Sequence, residues 1–203
     1  MNKALIVYGT RYGAAASTSE EIAKILRQEG IETWVVNGKA EKVKDIAEYD
    51  LIIVGSGIQI NRWTNEPENF LKKFQKQLVS KKLALFVCCG SATDKNKPDA
   101  AEHARQKYLE DKAAKYHLQP DALGLFGGVY NYNKMPWFAK KAMEIEKPRI
   151  ETSFKEIEPG VYDTRDWNAI RTWTQELAKR INLTNRPSLE ATIIEQSPKK
   201  RAF

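Results

Sequence analysis

The chain has 203 residues, 42% of them hydrophobic, enough for a packed core and without a compositional sign of disorder. Lysine and arginine number 33 against 26 aspartates and glutamates, a net charge of +7 that suits an acidic protein, an anionic ligand or a lipid headgroup surface. Those charges are spread along the chain without a recognition motif, which disfavours nucleic acid, and the adjacent Cys88 and Cys89 with only His103 and His117 argue against a disulfide framework, a CxxC motif, a cysteine-bound iron–sulfur cluster and a His/Cys zinc site.

In chain order, "KALIVY" (3–8) fits a buried parallel strand, and Ile22, Ile25 and Leu26 predict a helix over 19–29 that Gly30 stops. "ETWVVN" (32–37) is a second strand and "DLIIVGSG" (50–57) a third. "TNEPENFLKKFQKQL" opens like a helix, with Asn65 to cap it, Pro67 in the first turn and Glu68 completing a capping box. "KKLALFVCCG" (81–90) is a fourth strand, followed by a polar loop and a helix from Asp99 to His117. "DALGLFGGVY" (121–130) is the fifth strand, "MPWFAKKAMEI" (135–145) a helix after its proline. The last helix begins near Asp166, with Trp167, Ile170, Trp173, Leu177, Ala178 and Ile181 at helical spacing. Residues 182–203 form an extension, mobile or packed on a neighbour, and with the exposed aromatics they are compatible with a homodimer.

Five strands alternating with helices imply a single doubly wound α/β domain over 1–181, its parallel sheet covered on both faces. Ligands in such sheets sit beyond the carboxyl ends of the strands. Three strands here end in glycine-bearing segments, "YGTRYG", "GSGIQINRW" and "CCGSATD". No run approaches the roughly 18 apolar residues of a membrane span. Met1 leads straight into the first strand without a leader, so a cytoplasmic protein is expected, and redox chemistry there would need an organic cofactor.

The stretch "VYGTRYGAAASTSEEIAK" (7–24) carries the chemistry. From Gly9 to Ser17 it holds nine mostly small or hydroxyl-bearing residues, more than a strand-to-helix turn requires. It lacks the GxxxxGK[ST] of a P-loop and the GxGxxG of a dinucleotide fold. What remains is a hydroxyl- and glycine-rich turn into a helix N-terminus, suited to a phosphate monoester.

"IVYGTRYGAAAST" resembles the flavodoxin signature, and "TRYG" is similar to the opening of the flavodoxin-type, menaquinone-using protoporphyrinogen oxidases. The likeness continues through "VGSGIQINRW", "GGVYNYNKMPWF" and "VYDTRDWNAIRTW", covering about residues 3 to 181. It implies a five-stranded sheet of order 2-1-3-4-5 and bound FMN. Thr10, Arg11, Tyr12 and Gly13 would hold the phosphate, Ala14, Ala15 and Ala16 would let the loop close, and Ser17 or Thr18 would add a hydroxyl. Thr18 could equally cap a helix with Glu21. Ser56, Gly57, Ile58, Gln59, Ile60, Asn61, Arg62 and Trp63 would line one side of the flavin ring, and Cys89, Gly90 and Ser91 the other. Trp63 could instead pack under the next helix, and both cysteines are readable as core filler; facing opposite ways along their strand, at most one meets the ring. Tyr130, Tyr132 and Trp137 are candidates for a partner or substrate surface.

Where many flavodoxins read Cys-Gly-Asp, this chain reads Cys89-Gly90-Ser91, and the third-strand loop carries Arg62 and no acid before Glu66. The ring is thus expected in a neutral-to-positive field favouring anionic reduced flavin and an anionic semiquinone. The leading function is an FMN carrier passing single electrons between redox proteins, with an acidic ferredoxin or a reductase as partner. The alternative is a protoporphyrinogen oxidase-type enzyme delivering electrons to a quinone. A cofactor-free binding module ranks last, because the loop hydroxyls are present.

Overall fold

The computed structural model describes residues 2–93 and 99–184. Five parallel strands, β1 (Lys3–Gly9), β2 (Glu32–Asn37), β3 (Leu51–Gly57), β4 (Lys82–Cys88) and β5 (Ala122–Phe126), stand in the order β2-β1-β3-β4-β5. Register is fixed by pairs such as Ala4 with Leu51 and Ile52 with Leu83. Each central strand is apolar on both faces. Leu5, Val7, Ile52, Val54, Leu83, Leu85 and Val87 point into one core layer, and Ala4, Ile6, Leu51, Ile53, Ala84 and Phe86 into the other. That double burial is what turns a run like "LIIV" into a sheet covered on both sides.

One face is covered by α1 (Ala14–Gln28) and α7 (Trp167–Thr184) through Ile22, Leu26, Ile170 and Leu177. Helix α1 ends where Gly30, at φ +80°, lets the Gly30 and Ile31 amides donate to the Arg27 and Leu26 carbonyls, closing the last turn. Helix α7 is capped by Asp166, whose Oδ1 accepts from the Asn168 and Ala169 amides.

The other face is covered by α2 (Asn65–Leu78) and by a stretch made of α3 (Ala100–Arg105), a π-helical turn at Gln106–Glu110 and α4 (Asp111–Lys115). The sequence predicts one uninterrupted helix from Asp99. The π turn breaks it at the point where the buried Tyr108 carbonyl accepts from Trp63 Nε1 at 2.8 Å. Thr64, not Asn65, is the N-cap of α2, and its hydroxyl is engaged with Ser56 Oγ at 3.3 Å, so no side chain caps the helix. Glu68 ties α2 to α4 instead of capping. Lys112 and Lys115 donate to its Oε1 at 3.0 and 2.7 Å, and Tyr116 donates to the same oxygen at 3.0 Å.

Burial alone would raise the Glu68 carboxyl, but these donors outweigh it and bring it down to about 2. A depressed carboxyl adds stability that is complete above its ordinary value of 4.5 and fades as pH falls toward 2. Glu68→Gln is therefore expected to cost roughly 1 kcal/mol at neutral pH, as for a partly exposed pair, and nothing near pH 2. Urea denaturation at both pH values checks this; an equal loss at both would assign the effect to packing.

The predicted fifth strand over 121–130 is two strands. Beyond β5 the Gly127–Gly128 pair turns the chain out of the main sheet into β6 (Val129–Asn131). That strand joins β7 (Glu156–Glu158) and β8 (Val161–Asp163) in a small antiparallel sheet of order β6-β8-β7. The Gly128 amide donates to Thr164 Oγ1 at 3.0 Å, and the Thr164 amide and hydroxyl donate back to the Gly128 carbonyl. Between β6 and β7 lie α5 (Trp137–Met143) and α6 (Lys147–Ser153). Among the described residues no helix is long and apolar enough to cross a membrane. Most of the C-terminal extension, from 185 on, and the middle of the loop after β4 lie outside the described residues.

Candidate functional site

The site lies beyond the carboxyl ends of β1, β3 and β4. The loop between β1 and α1 is only Thr10–Gly13, since Ala14, Ala15, Ala16 and Ser17 already form the first turn of α1. Periodicity places the start of this helix five residues too late because an Ala/Ser/Thr run has no apolar period. Gly13 is the N-cap at φ +94°, and a Cβ there would meet nothing within 4 Å. Its amide donates to Thr10 Oγ1 at 3.0 Å, leaving the Thr10 hydroxyl proton available to a ligand. The first amides of α1 have no acceptor within their own helix, and the helix dipole is positive there.

A cavity of about 420 Å³ begins at this loop, on Thr10, Arg11, Tyr12 and Ala14. It runs between Gly57, Ile58, Gln59 and Ile60 from the loop after β3 and Cys88 and Gly90 at the end of β4. Gly128, Val129 and Tyr130 line it as well, together with Met135, Phe138, Ala139 and Met143 from α5 and the turn before it. Gln59 Nε2 donates to Tyr12 Oη at 2.5 Å, linking the first and third loops. Gln59 and Arg62 exchange both backbone hydrogen bonds at 3.1 Å, a tight turn whose central residues Ile60 and Asn61 have φ of 50° and 58°. For a β-branched residue such as Ile60 that conformation is strained. Tyr108 Oη donates to Asn61 Oδ1 at 2.8 Å and holds the turn from the α3–α4 side.

Of the residues expected at the site, Thr10, Arg11, Tyr12, Ala14, Gly57, Ile58, Gln59, Ile60 and Gly90 line this one cavity, with Gly13 beside it. Others stand away from it. Ala15 is buried against the sheet, and Ala16 and Ser17 sit on the outer flank of α1. Thr18 falls in the second turn, fully buried, with its hydroxyl 3.4 Å from Cys88 Sγ; it neither faces the cradle nor caps the helix. Ser56 donates to the Gly57 carbonyl and receives the Thr64 amide. Asn61 and Arg62 are exposed in the tight turn and do not line the cavity, whose positive charge comes from Arg11 rather than Arg62. Trp63 does not line the cavity: it is buried in the core, and its indole N–H is committed to the Tyr108 carbonyl of the α3–α4 stretch rather than to the next helix, α2.

Strand parity decides between the cysteines. Cys88 shares the face of Ala84 and Phe86 and lines the cavity, whereas Cys89 turns into the opposite core beside Tyr108 and Leu109. Burial pushes the Cys88 thiol up to about 11, so it is neutral at physiological pH. Tyr130, raised to about 12 chiefly by burial, is neutral as well. Its ring lies across Gly90, where a Cβ would come within 2.3 Å of the phenol oxygen. Ser91 belongs to the 3-10 turn Gly90–Thr93.

Arg165 escaped sequence reasoning. Its side chain, 4% exposed, forms a two-pronged pair with Asp163 (Nε to Oδ1 at 2.8 Å, Nη2 to Oδ2 at 2.7 Å) and stacks 4.2 Å from the Trp167 ring. Its Nη1 donates to the Ala14 carbonyl at 2.9 Å and to Ser17 Oγ at 2.6 Å. The one local signal was the charge pair of "DTR" just before a capped helix.

An anion-accepting helix N-terminus on one side of the cavity and a mostly apolar lining elsewhere fit a phosphorylated flavin: open space at Gly13 lets backbone approach a phosphate, and the Gly57–Gln59 and Cys88–Gly90 segments flank the apolar slot. A family model for the flavodoxin domain matches residues 5–152, and the chain belongs to the flavodoxin family. It is 22% identical over 196 residues to the protoporphyrinogen IX dehydrogenase [quinone] of Escherichia coli K12, covering 93% of this chain and 99% of that one. The fold is similar to that of a flavodoxin from the domain Archaea (TM-score 0.52, 13% identity, 89% and 99% covered). It also resembles the rubredoxin oxygen:oxidoreductase of Desulfovibrio gigas (TM-score 0.56, 14% identity), covering 92% of this chain and 38% of that one.

Proposed function

We propose that the protein binds FMN in this cavity and works as an electron carrier between redox proteins. The observation that carries the reading is the continuity of one cavity from the α1 N-terminus to the uncharged slot beside Cys88 and Gly90. FMN, when bound, supplies the ability to take up and release electrons. The chain supplies the rest. Thr10 and the first amides of α1 hold the phosphate, the Tyr12–Gln59 bridge fixes the two loops that flank it, and Met135, Phe138 and Met143 keep water from the slot. The exposed face around the slot, with Ile60, Trp137 and Phe138 among Arg11, Lys134, Lys140 and Lys141, suits an acidic protein partner.

A second reading is an oxidase of the protoporphyrinogen type delivering electrons to a quinone. It is favoured by the apolar side chains that α5 sets beside the slot, which suit an organic substrate, and by the likeness to the E. coli dehydrogenase over 93% of this chain. The purified protein is expected to be yellow and to bind FMN more tightly than riboflavin. Thr10→Val should weaken FMN by roughly tenfold, the worth of about one hydrogen bond, and leave riboflavin unchanged. A chain that takes up neither flavin sinks both readings. Bleaching of the bound flavin by protoporphyrinogen alone, without another protein, selects the enzyme over the carrier.

A further inference from the structure

The Arg165 side chain is almost wholly buried, yet its partners are not confined to its own segment. Asp163 fixes the guanidinium from β8, and Trp167 covers it from the first turn of α7. Its remaining nitrogen reaches across to the first turn of α1, 151 residues earlier in the chain. There Nη1 donates to the Ala14 carbonyl, to Ser17 Oγ and, at 3.3 Å, to Thr18 Oγ1, and the Ser17 hydroxyl in turn shares its proton between the Gly13 and Ala14 carbonyls at 3.2 and 3.3 Å. Gly13 is the left-handed cap whose conformation orients the first amides of α1. A hydroxyl has one proton to give. Ser17 spends it on the helix backbone while accepting from Arg165, so it is a link in a chain of contacts that ends at Gly13 and Ala14, the cap and first residue of α1.

We propose that Arg165 is a positioning residue for the phosphate cradle, acting through Ser17 on the Gly13 cap and not on the ligand. The inference rests on the reading of the cavity as an FMN site and assigns to the β8–α7 junction the control of phosphate recognition. A rigid cap keeps the amides preorganised, so binding a phosphate costs less ordering. The effect is confined to ligands that carry the phosphate, because Arg165 does not line the slot.

The test is titration of the full-length chain with FMN and with riboflavin, followed by flavin fluorescence, for the wild type, Arg165→Met, Ser17→Ala and the double variant. Each single variant is expected to lose about tenfold in FMN affinity with riboflavin within twofold, the magnitude of one lost hydrogen bond. The double variant should lose no more than the larger single loss, since both act through one chain of contacts. Ser17→Ala leaves the Arg165–Asp163 pair in place, which keeps the test decisive if Arg165→Met does not fold. Backbone hydrogen exchange of the residue-17 amide, which donates to the Gly13 carbonyl at 3.0 Å, should quicken in Ser17→Ala before any flavin is added. Multiplied losses in the double variant, or equal losses for both flavins, would overturn the inference. Thr10→Val tests the cradle separately: phosphate preference lost there but untouched by Ser17→Ala and Arg165→Met leaves the FMN reading standing and removes the role of Arg165. A wild type indifferent to the phosphate removes both.

Discussion

Alanine at Gly127 is expected to lower stability by about 3 kcal/mol and the melting temperature by roughly 10 °C, as overpacking against immobile atoms does in a domain of this size. A Cβ at this position would stand 2.2 Å from the Thr164 carbonyl oxygen, 2.6 Å from its carbonyl carbon and 2.8 Å from its hydroxyl. The first two are backbone atoms and cannot swing aside. They are also pinned, because Thr164 and Gly128 share three hydrogen bonds at the point where the chain leaves the main sheet. The strain would spread to the site, since Gly128 and Tyr130 follow directly and Tyr130 lies over Gly90. A control is Gly13→Ala, where no atom is within 4 Å and only the φ of +94° resists, so about 1 kcal/mol is expected. Thermal denaturation of the two variants checks the contrast. A Gly127→Ala protein as stable as Gly13→Ala would mean that β6 does not close on Thr164.

The main sheet was legible because its signals are local and redundant. Runs such as "LIIV" and "LALFV", each preceded by charged residues and soon followed by glycine, are strands under almost any packing, and helices alternate between them at short spacing. Strand order came with the family resemblance, and the structure has that order. What stayed hidden depends on contacts remote in sequence. The π turn at Gln106–Glu110 has no local signature and is bound up with the reach of Trp63. The three-residue strands β7 and β8 are too short to show a period, and the Pro159-Gly160 turn signal between them went unread. The Gly127–Gly128 break reads as strand because "ALGLF" and "VY" are both strand-like, and only Thr164 tells them apart. At the site, glycines and the loop after β3 were legible by position at strand ends. The choice of Cys88 over Cys89 was open to parity, but which face held the cavity required the placement of α5.

The Asp163–Arg165 pair gives the second large effect, and its sign follows from burial. With the Asp163 and Arg165 side chains 12% and 4% exposed, neither charge is well hydrated in the folded state. Removing one partner strands the other. Asp163→Ala leaves Arg165 Nε and Nη2 without their carboxylate, and about 3–5 kcal/mol should be lost. Because the pair is shielded from ions, that loss should persist in 1 M salt, unlike that of a surface bridge. Asp163→Asn keeps an oxygen for the Arg165 amide and guanidinium and should cost less. Replacing both partners, as Asp163→Leu with Arg165→Met, should recover much of the Asp163→Ala loss, since no unpaired charge remains. The recovery concerns stability alone: the contacts to Ala14 and Ser17 stay broken, so the double variant should be sound in urea and still weak for the phosphate. Urea unfolding of the three proteins at low and high salt measures the first part. A loss under about 1 kcal/mol in Asp163→Ala would show Arg165 reaching water, and its hold on α1 would then be too loose to set the cap.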